Sequence, residues 1–200
     1  MESIFNFDIS IFAQTAGYIG ISFIIFAESG LFFGFFLPGD SLLFTAGLLA
    51  SNGYFNIFLI ILLVFISAIL GDQIGYWFGK KVGPKIFTRE DSFWFQKKHI
   101  FRAENFYKKY GKKTIILARF IPIVRTFAPI LAGVGSMSYK TFVIYNIIGG
   151  FLWGVGVTLL GYFLGEIIPD AEKYLLPIIA IIIFLSILPP IISFAKEKMK

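Results

Sequence analysis

The chain has 200 residues, enough for one domain; 57% of them are hydrophobic, only 15% are charged and 26 are phenylalanine. A soluble globule of this size has no interior large enough for that much apolar surface, so the composition points to an integral membrane protein and excludes a soluble enzyme, a disordered chain and a disulfide scaffold. With no cysteine and one histidine, His99, there is no thiolate or histidine metal site, no Cys nucleophile and no cofactor to expect.

In chain order, the first ten residues carry Glu2 and Asp8 and no basic region, so no cleavable signal is expected. Residues 9–27 are just long enough to span about 30 Å of hydrocarbon as a helix. Residues 28–50 are apolar but hold Glu28, Asp40 and the turn Leu37-Pro38-Gly39-Asp40, and Pro-Gly interrupts a helix. Residues 55–79 form a long uninterrupted span. Residues 80–113 contain eleven Lys or Arg against three acids, with the aromatic run Phe93-Trp94-Phe95 among them. Beside long apolar segments, that composition reads as an amphipathic stretch on the inner membrane surface rather than a nucleic-acid patch, and His99 reads as an exposed polar residue of it.

Residues 114–136 again are apolar but broken, with Arg119 and Arg125 on either side of Pro122. Spans at 141–165 and 174–194 follow, joined by an acidic connection, and the tail is basic. Basic loops lie inside, so the 80–113 loop and the C-terminus are expected to be cytoplasmic. Lys113 and Lys140 then share the inner face, and the segment between them enters and leaves on that side. The 28–50 segment is re-entrant from the outside. The expected fold is therefore an all-α polytopic membrane protein.

An internal repeat agrees with this topology. A shift of 86 residues superposes seven identities between residues 46 and 79 and their counterparts, including Ala46-Gly47 on Ala132-Gly133 and Gly75-Tyr76 on Gly161-Tyr162. Each unit is a re-entrant broken helix plus a span, and the two units run in opposite directions. Inverted repeats with broken helices at matching positions are the sequence pointer to a transporter with a midplane site. The spacings Gly30-Gly34, Gly75-Gly79, Gly150-Gly154 and Gly161-Gly165 read as close helix packing.

Ionisable groups within apolar segments are costly and need a reason. Arg119 and Arg125, six residues apart around a helix break, can converge on one phosphate through forked hydrogen bonds. Glu28 and Asp40, in low dielectric, are candidate proton-coupling groups. Pro38, Gly39 and Pro122 are structural turn residues. Three simpler roles stand beside these: the charges can be structural ion pairs, Asp40 can be an ordinary N-cap, and Asp72 can snorkel toward the basic loop, its role otherwise open.

Glu28, the Phe36-Leu37-Pro38-Gly39-Asp40 turn, Ala46-Gly47, Gly71-Asp72 with Gly75-Tyr76-x-x-Gly79, and Ala118-Arg119-Phe120-Ile121-Pro122-x-x-Arg125 followed by Ala132-Gly133 resemble the DedA family, also called the SNARE-associated or VTT-domain family. The resemblance covers residues 10 to 165. It implies a bacterial inner-membrane protein with two opposed re-entrant helices in which Glu28, Asp40, Arg119 and Arg125 are functional. It further implies a role in returning undecaprenyl phosphate, the lipid carrier of envelope synthesis, to the cytoplasmic leaflet.

The expected activity is that of a non-enzymatic flippase for a polyprenyl phosphate, coupled to protons or Na⁺ and working among membrane lipids without nucleic acid. Two other activities compete with it. One is a lipid diphosphate phosphatase using Glu28 as base and Ser29 or Ser41 as nucleophile; the other is a general lipid scramblase that supports membrane homeostasis.

Overall fold

The computed structural model describes residues 9–31, 34, 37–86 and 113–168. Most of the basic 80–113 loop, His99 and the 174–194 span lie outside the described residues. Within them every regular element is helical, as the apolar composition leads one to expect.

Helix α1 runs Ile9–Gly30 and is interrupted at Gly17, whose φ of 61° and ψ of −164° leave the helical region. Glycine, lacking a Cβ, takes that conformation without a steric cost. Past the kink at Gly17 the helix runs unbroken to Gly30, beyond the expected end at residue 27, so Glu28 sits in its last turn and not in a separate segment.

Helix α2, Gly39–Ser51, is buried along nearly its whole length. At 1.5 Å per residue it is about 20 Å long, too short to cross the hydrocarbon layer of about 30 Å. A turn through Gly53 (φ 81°) leads to α3, Ile57–Ile86. Asn56 caps α3, its Oδ1 accepting the N–H groups of Phe58 and Leu59 at 3.0 and 3.2 Å. Its own N–H donates to the Tyr18 hydroxyl at 2.7 Å, tying the turn to α1.

About 45 Å long, α3 has two contrasting faces. Phe58, Leu62, Ile66, Leu70, Ile74 and Phe78 recur every fourth residue and point outward. Ile60, Val64, Ala68, Asp72 and Tyr76, also at intervals of four, are buried. An outward apolar stripe of that length would be an aggregation surface in water and is satisfied by lipid.

After residue 113 a single short turn of helix, α4 (Thr114–Ala118), ends at Arg119 and Phe120. The backbone is extended at Ile121 (φ −122°, ψ 106°), and α5, Pro122–Val134, restarts with the proline in its first turn. Proline is accepted there because its missing N–H would have had no intrahelical partner. Helix α6, Tyr139–Gly150, passes through a π-helical turn, Phe151–Val155, into α7, Gly156–Ile167. The run Tyr139–Ile167 is long and apolar enough to span, as is Ile57–Val82 of α3.

Glycines set the closest approaches between these helices. Helix α2 lies on α7, where a Cβ at Gly47 would strike the Thr158 carbonyl and one at Gly161 the Phe44 carbonyl. Helix α5 lies on α3, where the same holds for Gly133 against the Tyr76 carbonyl and Gly79 against that of Ile130. One apolar core gathers Ile25, Leu43, Leu49, Ile60, Val64 and Trp153. A smaller one forms where Tyr76 stacks on Phe142 at 4.5 Å and donates its hydroxyl to the Met137 carbonyl at 2.6 Å.

Candidate functional site

The charged residues of the apolar segments gather into one buried cluster. Glu28, at the end of α1, accepts the backbone N–H of Gly39 at 3.2 Å and pairs through the same oxygen, Oε1, with Nη2 of Arg125. Arg125, on α5, extends its other terminal nitrogen to Oδ1 of Asp40 at 2.8 Å. That oxygen also accepts the indole N–H of Trp153 at 2.6 Å. One guanidinium thus bridges two carboxylates from the two sides of the Pro38-Gly39 turn, one terminal nitrogen to each.

The second arginine has its own partners. Nη2 of Arg119 pairs with Asp72 of α3 and donates to Oδ1 of Asn146 at 2.5 Å. Asn146 is itself held by donating to the Ile69 carbonyl at 3.3 Å. The Arg119 side chain lies against Gly149, where a Cβ would come within 2.9 Å of Arg119 Cδ.

Trp153 stands next to both pairs. The guanidinium carbon of Arg125 lies 4.3 Å from its ring centroid and that of Arg119 5.8 Å, both within cation–π range. The ring occupies the π-helical turn, where one extra residue per turn re-aims side chains. Trp153 is 1% exposed, and Glu28, Asp72, Arg119 and Arg125 are each 2% exposed, whereas the Asp40 side chain is 21% exposed. Asp40 is therefore the accessible member of the charged cluster.

Several polar atoms in this cluster lack a partner among the described residues: Nε and Nη1 of Arg119, Nε of Arg125, Oε2 of Glu28 and Oδ1 of Asp72. A buried donor without an acceptor costs about 1–3 kcal/mol, and here three such donors belong to two arginines.

The structure revises two of the simpler roles read from the sequence. Asp40 is not an N-cap: α2 starts at Gly39, its cap position is Pro38 with no side-chain hydrogen bond, and the Asp40 carboxylate is turned to Arg125 and Trp153. The carboxylate at the start of α2 belongs to Glu28 on the preceding helix. Asp72 does not snorkel to the basic loop, because Arg119 gives it a partner inside the protein. Gly150, read from the sequence as a helix-packing position, lies beside Ile69 and the Arg119 guanidinium, which a Cβ there would meet at ordinary contact distance.

Arg119 and Arg125 are both in the cluster, each already paired with acid. Asn146 and Trp153 escaped the sequence reading. An amide in the middle of an apolar span is itself a signal, and so is a Trp placed mid-span rather than at the membrane interface. Among the described residues no three His, Cys, Asp or Glu side chains are grouped to hold a metal ion.

The VTT domain matches residues 37–163 of the chain. An uncharacterized membrane protein of Mycobacterium leprae is 48% identical over 170 residues, covering 85% of this chain and 76% of that protein. Protein DedA of Escherichia coli strain K12 is 47% identical over 177 residues, 88% of this chain and 80% of its own. The inner membrane protein YqjA of the same strain is 35% identical over 154 residues, 74% and 68% of the two chains. No solved structure matches.

Proposed function

Because the chain belongs to the VTT-domain family that includes DedA, we propose that this membrane protein carries a polyprenyl phosphate, undecaprenyl phosphate being the substrate implied by the resemblance, across a bacterial inner membrane. The single observation that carries the reading is the pair of buried guanidiniums beside Trp153, which keep unpartnered donors while their remaining donors are held by internal carboxylates. A phosphate monoester is the planar-fork partner such arginines favour. Only the headgroup needs a polar path, since the prenyl tail can remain in lipid.

In this reading Glu28 and Asp40 stand in for the phosphate in the resting state. Taking up a proton, or Na⁺ in its place, at Glu28 or Asp40 weakens its hold on Arg125 and frees the guanidinium for the lipid headgroup. Glu28 also accepts from the first backbone N–H of α2, so its release frees a helix N-terminus, a favourable place for an anion.

The exchange of partners between halves supports the inverted topology. Gly47 and Phe44 of α2 meet α7, while Gly133 and Ile130, each 86 residues later, meet α3. Helices α2 and α5 are each 13 residues long and suit segments that enter and leave on one side. The charges divide between the halves as well: all three acids of the cluster precede residue 80 and both arginines follow residue 113. In the inside-positive orientation the 80–113 loop and the tail face the cytoplasm.

Leaflet-resolved transport of a labelled polyprenyl phosphate in proteoliposomes, with and without a pH gradient, tests the proposal. The expected result is saturable movement of the phosphate lipid that responds to the gradient and is competed by polyprenyl phosphate rather than by neutral lipid. Release of inorganic phosphate from a lipid diphosphate, or transport blind to the headgroup, would replace it with the phosphatase or the scramblase.

A further inference from the structure

Trp153 is chemically out of place in an apolar core. Its N–H must find an acceptor when buried, and the acceptor it finds is the most accessible carboxylate of the cluster. The oxygen it binds, Oδ1 of Asp40, is also the one that pairs with Arg125. The indole N–H therefore fixes the orientation in which Asp40 covers Arg125, and its ring lies against both guanidiniums. Trp153 comes from the second half of the chain and Asp40 from the first, 113 residues apart.

Resting on the phosphate-carrier reading, we infer that Trp153 is a positioning residue and a latch. Its N–H holds Asp40 over Arg125 on the accessible side of the cluster, and its ring keeps the two arginines aligned for one phosphate monoester. An isoprenyl phosphate reaches Arg125 when the Trp153–Asp40 bond opens. The two parts of the side chain then act in opposite directions. The N–H disfavours the anion by stabilising the closed arrangement, and the ring favours it by preorganising the donors.

Two substitutions separate these effects. Trp153→Phe keeps a ring against the guanidiniums and removes the donor; it is expected to bind farnesyl phosphate in detergent micelles more tightly, by about tenfold, the order of one charge-assisted hydrogen bond. Trp153→Leu removes both and is expected to bind more weakly than the wild type. A tryptophan that only fills the core would weaken binding in both variants in proportion to lost volume, or in neither; a Phe variant that binds no more tightly than wild type overturns the latch. Absence of farnesyl phosphate binding by the wild type counts against the carrier reading instead.

The latch is also read without any ligand. With Trp77 and Trp94 replaced by Phe, Trp153 is the sole indole of the chain. Asp40→Asn then replaces a charged acceptor by a neutral one at the indole N–H, and the emission spectrum of Trp153 is expected to shift. An unchanged spectrum overturns the Trp153–Asp40 bond whatever the substrate is.

Discussion

The carboxylate of Glu28, in the last turn of α1, accepts the backbone N–H of Gly39, the first residue of α2, at 3.2 Å. A side chain from one helix thus occupies the position at the start of the next that a local Asp or Ser usually fills. The same oxygen holds Arg125, so the start of α2 and the arginine are fixed together, and Gly39 is required because a Cβ there would fall on the carboxylate.

That requirement gives Gly39→Ala an unusual sign. Inside an ordinary helix the change stabilises by about 1 kcal/mol. Here it is expected to lower stability by about 1–3 kcal/mol, because displacing Glu28 leaves Arg125 with a buried unmet donor. Thermal unfolding in detergent measures it, and an Ala variant as stable as the wild type or more so would show that the Glu28 carboxylate does not need this position.

Arg119→Lys and Arg125→Lys keep the charge and lose the fork. Each is expected to insert into the membrane normally but to weaken phosphate-lipid binding by about one to two decades, the scale of one lost charge-assisted hydrogen bond. Ala at either position is expected to be nearly inactive, since it leaves buried carboxylates uncompensated at a cost of about 3–5 kcal/mol. Full transport by both Lys variants, or recovery of activity when an acid and its arginine are neutralised together, would mean that the charges serve folding alone.

Glu28→Gln and Asp40→Asn replace groups that exchange protons by amides that do not. Both variants are expected to remain folded in membranes and to lose the pH dependence of transport. Transport that retains the wild-type pH profile in both would remove these carboxylates from coupling.

Asn146 offers a test of the second arginine pair. Asn146→Ala removes the acceptor of one Arg119 donor and leaves Asp72 in place. It is expected to cost about 1–3 kcal/mol of stability, while Asn146→Leu, with the same loss and more volume beside Gly149 and Arg119, is expected to cost more. Equal stability of wild type and Ala variant would show that Asp72 alone satisfies Arg119.

The inverted topology is testable by labelling. Single cysteines at Asn52 and Lys140, both exposed, are expected to react with an impermeant thiol reagent from opposite sides, Asn52 from outside and Lys140 from inside. Labelling of both from one side would break the charge-based orientation.

Composition and local pattern by themselves determined that this is an all-helical membrane protein. Long apolar runs with few charges have lipid as their only suitable solvent, and the family likeness is carried by short motifs that are each legible locally. The pattern also marked the five costly charges, Glu28, Asp40, Asp72, Arg119 and Arg125, since each stands out against apolar neighbours. It could not say which acid meets which arginine. Glu28 and Arg125 are 97 residues apart, Asp40 and Arg125 are 85, and Asp72 and Arg119 are 47. Such pairings depend on how α2 lies on α7 and α5 on α3, which the glycine contacts fix only once the chain is folded. The extension of α1 to Glu28, the use of that residue at the start of α2, the amide of Asn146 beside Arg119 and the π-helical turn that carries Trp153 were all decided by the tertiary structure. Each depends on a partner far away in the chain: a buried polar group takes whichever distant donor or acceptor packing brings within reach, and no local spacing encodes that choice.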